Sequence, residues 1–421
     1  MIVNLPFARD RIALDLRGLR VHALRPSAPS SSRGAAEVVA GALDRPLDGQ
    51  PLETLAQGRR QATVIVPDAT RRAALPEVLP QVLRRLERGG VRTSSINILV
   101  ACGTHPPADP ESLRQLLGPL PPEVRVLQHD SRDEGALVAV GELRPGLPLR
   151  LHREVVNCDL LVTVGTVRHH YFAGFGGGPK MVFPGVGGHQ EIQANHSLVL
   201  RRTNGEWERH PKCEPGVIDG NPVAEEIARA VDLRPPELAL CLVEDGFGEV
   251  AWAESGTWRT AFTAAVDRVR GWYEIPRPSP FDLMVACGGG SPADQTLIQA
   301  HKGLDAACRF LAPGGKILYL ASLEGGAGSE AMEEFLADPR PEVILRKLGE
   351  SWVQYGHTTL RLVEKTSAYT VHLHAHLDHA LAERLGFDCV ADPAAVVGAW
   401  REEFPGATVG VMASGAVYPS T

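Results

Sequence analysis

Asp159-Leu160-Leu161-Val162-Thr163-Val164 is an apolar run, and a few residues later the chain reads His169-His170-Tyr171-Phe172-Ala173-Gly174-Phe175-Gly176-Gly177-Gly178-Pro179-Lys180. The run reads as a buried strand. It hands the chain directly to two imidazoles, a cluster of glycines and one lysine. Glycine removes the Cβ that would keep backbone N–H groups away from a bulky anion. A lysine at the end of such a loop can neutralise a phosphate or serve as a covalent anchor. Paired histidines offer proton transfer near neutral pH. Taken alone, the plainer reading is a glycine-rich turn with two surface histidines. Segments elsewhere in the chain change that.

Working outward, the same grammar of strand, polar loop and helix recurs. Ala62-Thr63-Val64-Ile65-Val66 is β-rich and ends at Pro67-Asp68-Ala69-Thr70-Arg71. Leucines and valines at helical spacing follow over residues 75–88 and close on Gly89-Gly90. Ile96-Asn97-Ile98-Leu99-Val100 is a second strand, ending at Cys102-Gly103-Thr104-His105. Asp109-Pro110-Glu111 opens a helix as N-cap, proline and first-turn acid. A third strand over residues 124–127 ends beside His129 and Asp130, and the fourth is the opening run. This spacing predicts a parallel α/β sheet. Ligands of such sheets sit beyond the carboxyl ends of the strands, where Asp68, Arg71, His105, His170 and Lys180 all fall. Helices are expected over residues 222–231 and 257–272. Three prolines within residues 275–280 mark a domain boundary, after which the grammar restarts. Strands are expected at residues 282–286, 316–321, 370–373 and 408–412, and a helix over 296–311 carries Gln299 and Lys302. The fold class is therefore α/β: two α/β domains with largely parallel sheets, residues 1–275 and 276–421, with the active site expected in the cleft between them.

Composition narrows the function classes. At 421 residues the chain exceeds one ordinary core. A net charge of −7 without a long basic run argues against nucleic acid or an anionic membrane surface as partner. No apolar stretch has the length of a membrane span, and the first ten residues lack the pattern of a secretory signal. Seven scattered cysteines without a C-x-x-C pair suggest reduced thiols in a cytoplasm.

Familiar motifs fit poorly. A Walker loop needs a hydroxyl after its lysine, and here Pro179 precedes Lys180 and Met181 follows it. Histidines at the strand-to-loop junction also spoil a dinucleotide fingerprint. His372, His374, His376 and His379 have only Asp378 among them as a carboxylate and read as structural. Asp68 with Arg71, or Gln299 with Lys302 one helical turn apart, would each pass alone for a surface ion pair or a solvated face.

Together these segments resemble the nickel-dependent lactate racemase family. The resemblance rests on Asp68-Ala69-Thr70-Arg71, Gly103-Thr104-His105, His170 with Lys180 ten residues on through the glycine loop, His196 sixteen beyond that, and Gln299 with Lys302. It implies a racemase or epimerase of a 2-hydroxy acid. Its cofactor would be pyridinium-3-thioamide-5-thiocarboxylic acid mononucleotide, a nickel pincer attached to Lys180 in a loop formed by Gly176, Gly177 and Gly178, with His196 as nickel ligand. His105 and His170 would be the acid/base pair, and Asp68, Arg71, Gln299 and Lys302 would place substrate or support those histidines. Three pincer donors and one imidazole suit square-planar Ni(II). Hydride would leave Cα for the cofactor and return to the opposite face through a 2-oxo acid. Partners implied are the small 2-hydroxy acid and the enzymes that build the cofactor.

The chain departs from the family at Pro106, where arginine is common, and in a loop poorer in hydroxyls. Arg168 stands two residues before His170, on the same side of an extended segment. These departures point past lactate to a larger or second-carboxylate substrate, such as malate or a sugar acid. Two other classes compete: a metal-dependent hydrolase using His105, His170 and His196, and a non-catalytic cofactor carrier.

Overall fold

A computed structural model describes residues 1–30, 33–71, 73–276, 278–413 and 417–420. Arg277 of the proline-rich boundary lies outside the described residues. The chain divides into two units. The larger comprises Pro29–Val199 and His210–Arg270, and the smaller Met1–Ala28, Leu200–Arg209 and Gly271–Thr421.

The larger unit is built on a six-stranded sheet. Its spatial order is Val250–Gly256, Leu238–Glu244, Leu160–Thr166, Ala62–Pro67, Ile96–Ala101 and Arg125–Gln128. Every pairing is parallel except that of the first two strands. Ala62–Pro67 and Leu160–Thr166 are buried along their whole length, as central strands covered on both faces must be. That is why they read as largely apolar runs. From Ala62–Pro67 the chain steps outward to Arg125–Gln128, then returns to Leu160–Thr166 on the other side. The order reverses between these two strands, and their carboxyl ends flank the crevice where such sheets bind ligands.

Local chemistry sets the helices. Leu75–Arg88 buries Leu75, Val78, Leu79, Val82, Leu83 and Leu86 on one face and ends at Gly89. The Asp109 carboxylate accepts the Glu111 and Ser112 N–H groups, with Pro110 at the first helical position. Pro222–Leu233 starts in the same way, its N-cap Asn221 accepting from Val223 and Ala224.

The smaller unit carries a second six-stranded sheet, all parallel, in the order Asp388–Cys389, Thr370–His374, Leu311–Leu320, Phe281–Cys287, Thr408–Met412 and Arg20–Ala23. Its order reverses between Phe281–Cys287 and Thr408–Met412. The segment after Phe281–Cys287 leads into helix Leu297–Cys308, which holds Gln299 and Lys302. The molecule is thus an α/β protein of two units with parallel and mixed sheets. Among the described residues, five antiparallel hairpins had no signature in the sequence reading: Ile2–Phe7 with Asp10–Asp15, Leu137–Arg144 with Leu147–His152, Arg168–His170 with Gly174–Gly176, Leu200–Thr203 with Glu206–Arg209, and Leu238–Glu244 with Val250–Gly256.

Candidate active site

The crevice end of the larger sheet gathers ionisable groups with few counter-ions. Asp68 follows the first switch-point strand and is 8% exposed. One carboxylate oxygen meets His105 Nδ1 at 2.6 Å, while the other accepts from the Thr70 hydroxyl at 2.6 Å and the Thr70 N–H at 3.1 Å. Burial would raise its pKa, but the hydrogen bond and charge of His105, the Arg71 guanidinium and Thr70 outweigh it and hold the carboxyl at about 2. His105 therefore has a carboxylate behind Nδ1, which leaves Nε2 as the position for proton exchange. The loop bearing it is tied down where the Gly103 N–H donates to the Gly185 carbonyl at 2.9 Å.

Arg71 donates to Thr70 Oγ1 at 3.0 Å. Burial, then the neighbouring charge of Arg168, pull its pKa down to about 10, against the opposing pull of Asp68 and Glu244. Arg168 is exposed and has no ion pair among the described residues.

His170 lies in the hairpin Arg168–His170/Gly174–Gly176. His169 stacks its ring on cross-strand Phe175, with centroids 4.9 Å apart, so Arg168 and His170 share the other face. His170 Nδ1 accepts the Ala173 N–H at 3.2 Å and the Phe172 N–H at 3.5 Å. The neutral ring then carries its proton on Nε2, the complement of His105.

The three glycines of the loop differ in what they do. A Cβ on Gly177 (φ +70°) would stand 2.3 Å from the Thr166 carbonyl oxygen, and one on Gly178 (φ +50°) 2.3 Å from the Phe262 ring. These two are required by the chain's own packing. A Cβ on Gly176 would meet only the Arg168 carbonyl oxygen, at 3.8 Å, so Gly176 alone of the three has room beside it. Gly177→Ala is accordingly expected to lower stability by at least about 1–2 kcal/mol from the left-handed backbone alone, more with the collision, read as a drop in the urea midpoint at unchanged slope.

Lys180 is the third residue of the short turn Gly178–Met181 and is half-buried. It has no carboxylate partner among the described residues, and its Nζ lies 5.6 Å from the centre of the Phe172 ring. Burial and the charge of Arg71 bring its pKa down to about 7. His196 closes helix His189–His196, and its Nε2 is buried without a hydrogen-bond partner. Burial, then the charges of Lys180 and His105, hold the imidazole at about 3. Asp68, Arg71, His105, His170, Lys180 and His196 thus come together within one unit.

Gln299 and Lys302 belong to the smaller unit, where Lys302 Nζ donates to Gln299 Oε1 at 2.6 Å. The histidine series there has structural partners: His372 Nδ1 meets Asp388 at 2.5 Å, and His374 Nδ1 meets the Val390 carbonyl at 3.0 Å. Among the described residues, no three His, Cys, Asp or Glu side chains are placed to hold a metal ion by themselves.

Sequence reasoning missed Phe172. Its ring stands edge-on to His170 (centroids 4.6 Å) and His196 (5.1 Å) as well as under Lys180. Its carbonyl accepts from Asn221 Nδ2 at 2.9 Å, which pins it to helix Pro222–Leu233. An aromatic residue inside a glycine-rich stretch carried no period that could have revealed this.

The Asp68–His105 pair, the half-buried amine of Lys180 and a His196 nitrogen without a hydrogen-bond partner thus stand together at the switch point of a doubly wound sheet. Comparison with known proteins identifies the family. Residues 8–208 match the lactate racemase N-terminal domain, and residues 277–351 the lactate racemase C-terminal domain. The lactate racemase of Lactiplantibacillus plantarum is 31% identical over 303 residues, covering 72% of this chain and 69% of the relative. That of Thermoanaerobacterium thermosaccharolyticum is 26% identical over 351 residues, 82% of this chain and 80% of the relative. The structure of the apoprotein from the latter organism superposes with a TM-score of 0.86 over 99% of both chains at 23% identity, a likeness of fold. The chain belongs to the lactate racemase family and is a racemase of the 2-hydroxyacid type.

Proposed function

We propose that this chain inverts Cα of a 2-hydroxy acid with a nickel-pincer nucleotide tethered to Lys180 and ligated by His196. The carrying observation is the meeting of Lys180, which has no counter-ion among the described residues, with a His196 nitrogen that is buried and unpartnered. A buried imidazole nitrogen without a partner is costly, and a metal would satisfy it. An amine beside an unpartnered imidazole nitrogen is a donor set that fits a lysine-tethered, metal-bearing group. When bound, it supplies a hydride acceptor beside nickel. The chain's side chains do the rest. The Arg71 fork suits the substrate carboxylate. His105, backed by Asp68, takes the hydroxyl proton at Nε2, while His170 holds a proton at Nε2, so one base and one acid stand ready. Their roles exchange for the other enantiomer. Gln299 and Lys302 are assigned to substrate on the resemblance alone. His196→Ala should leave the organic adduct on Lys180 and release nickel, read by intact mass and metal content.

Within the same reading, Arg168 selects a substrate with a second carboxylate. It shares the face of His170, is exposed, and stands close enough to Arg71 to depress that guanidinium. Two neighbouring cations invite two anionic groups. Arg168→Met is expected to lower kcat/KM for malate by about 100-fold or more, the scale of losing a charge pair, and to change lactate turnover little. Equal losses on both substrates would assign Arg168 to the cofactor or the fold. The three-histidine hydrolase gains no support from the placement of the histidines. Turnover of a single enantiomer by loaded protein excludes a mere carrier.

A further inference from the structure

Helix His189–His196 is only eight residues long, and its buried residues are Glu191, Ile192 and Asn195. One isoleucine is thus its sole buried apolar anchor. Apolar packing has no preferred direction, and so little of it leaves the helix free to turn or slide. Two buried polar clamps hold it instead. Glu191, 0% exposed, is gripped by Arg150, whose guanidinium also meets Glu134. Four residues on, and therefore on the same face, Asn195 is also 0% exposed and donates from Nδ2 to Glu226 Oε2 at 3.0 Å and to the Val223 carbonyl at 3.3 Å. Glu226 is 1% exposed. Arg144 braces the pair, donating to the Ala194 carbonyl at 2.8 Å and standing 3.7 Å from Glu226.

A buried carboxylate of this kind is expensive, and greasy replacements are often as stable. What it provides is direction, since a hydrogen bond weakens steeply off its axis. Asn195 is the residue before His196. We infer that the Asn195–Glu226 pair, braced by Arg144, is a positioning device that fixes the rotation and register of the helix end, and thereby where His196 Nε2 points. The inference rests on His196 being the nickel ligand.

The test uses holoprotein made alongside the cofactor-building enzymes. Nickel per chain is followed under a chelator, with intact mass reporting the Lys180 adduct. Asn195→Asp sets two carboxylates against each other and should speed nickel loss about tenfold or more with the adduct intact, the scale for groups that orient a metal ligand. Combining Asn195→Asp with Glu226→Gln restores one donor and one acceptor in reversed sense, and should return nickel loss to within about threefold of wild type. If Asn195→Asp does not fold, Asn195→Ala carries the same expectation. Leu86→Ala, a core truncation on helix Leu75–Arg88, controls for lost stability and should retain nickel. The inference is overturned if the Asn195 variants hold nickel like wild type, if Leu86→Ala loses it equally fast at a matched fall in melting temperature, or if the swapped pair recovers stability without recovering nickel. His196→Ala separates the two claims. Should it keep nickel, the ligand reading fails and the device falls with it; should it lose nickel while the Asn195 variants do not, only the device fails.

Discussion

His105→Ala and His170→Ala are each expected to lower kcat by roughly 10²–10⁴-fold, with a much smaller change in KM. In the proposed reaction each ring exchanges a proton once in every full inversion, so neither would cover for the other. The two rings rest in complementary states for local reasons. Asp68 stands 2.6 Å from His105 Nδ1, whereas two backbone N–H groups point at His170 Nδ1. Asp68→Asn tests this without deleting an imidazole. An amide in place of the carboxylate cannot balance the charge that forms on His105, so kcat should fall by a similar order while circular dichroism and KM hold. Steady-state kinetics from each enantiomer check all three variants. A His105→Ala enzyme with unchanged kcat would remove His105 from the chemistry.

Lys180→Ala should abolish the covalent adduct and with it all measurable turnover, because the proposed tether is the Lys180 amine itself. Intact mass of the wild-type and variant proteins decides it. The apoprotein offers a second reading. Burial and Arg71 lower the Lys180 pKa to about 7, so the unfolded chain, with an ordinary lysine, binds more protons between that value and about 10.5. The ammonium form therefore penalises the folded state, fully below about pH 7 and progressively less as pH rises to 10.5. Lys180→Met should raise the apoprotein's melting temperature at pH 7, and the gain should vanish near pH 10.5. A gain that grew with pH would contradict this.

Much of the fold could be read from the chain because its central strands are buried on both sides. Residues 62–66, 96–100 and 160–164 are predominantly apolar, and each is followed by polar residues at the crevice end of the sheet. Helix limits such as 75–88 followed from leucine spacing and the glycines that stop it. The hairpins were illegible for the opposite reason. Arg168–His170 and Gly174–Gly176 are three residues each, too short for a period of two to register. Arg20–Ala23 pairs with Thr408–Met412, almost the whole chain away, and nothing local announces such a partner. At the site, residues with chemistry stood out by type and placement. The residues that hold them did not: Phe172 resembles any core aromatic, and Asn195 and Glu226 resemble surface polar residues until their burial is known. Gly176, Gly177 and Gly178 look alike in sequence, and only the Thr166 carbonyl and the Phe262 ring distinguish the two that packing demands.

The central claim is that Cα changes configuration by moving hydride within the site, with His105 and His170 handling only the hydroxyl proton. Loaded enzyme given substrate deuterated at Cα in ordinary water tests it most directly. The account predicts a primary isotope effect on turnover and product of inverted configuration that keeps its deuterium. Loss of the label to solvent at the rate of inversion would mean that the histidines take a proton from Cα itself, and would contradict the account.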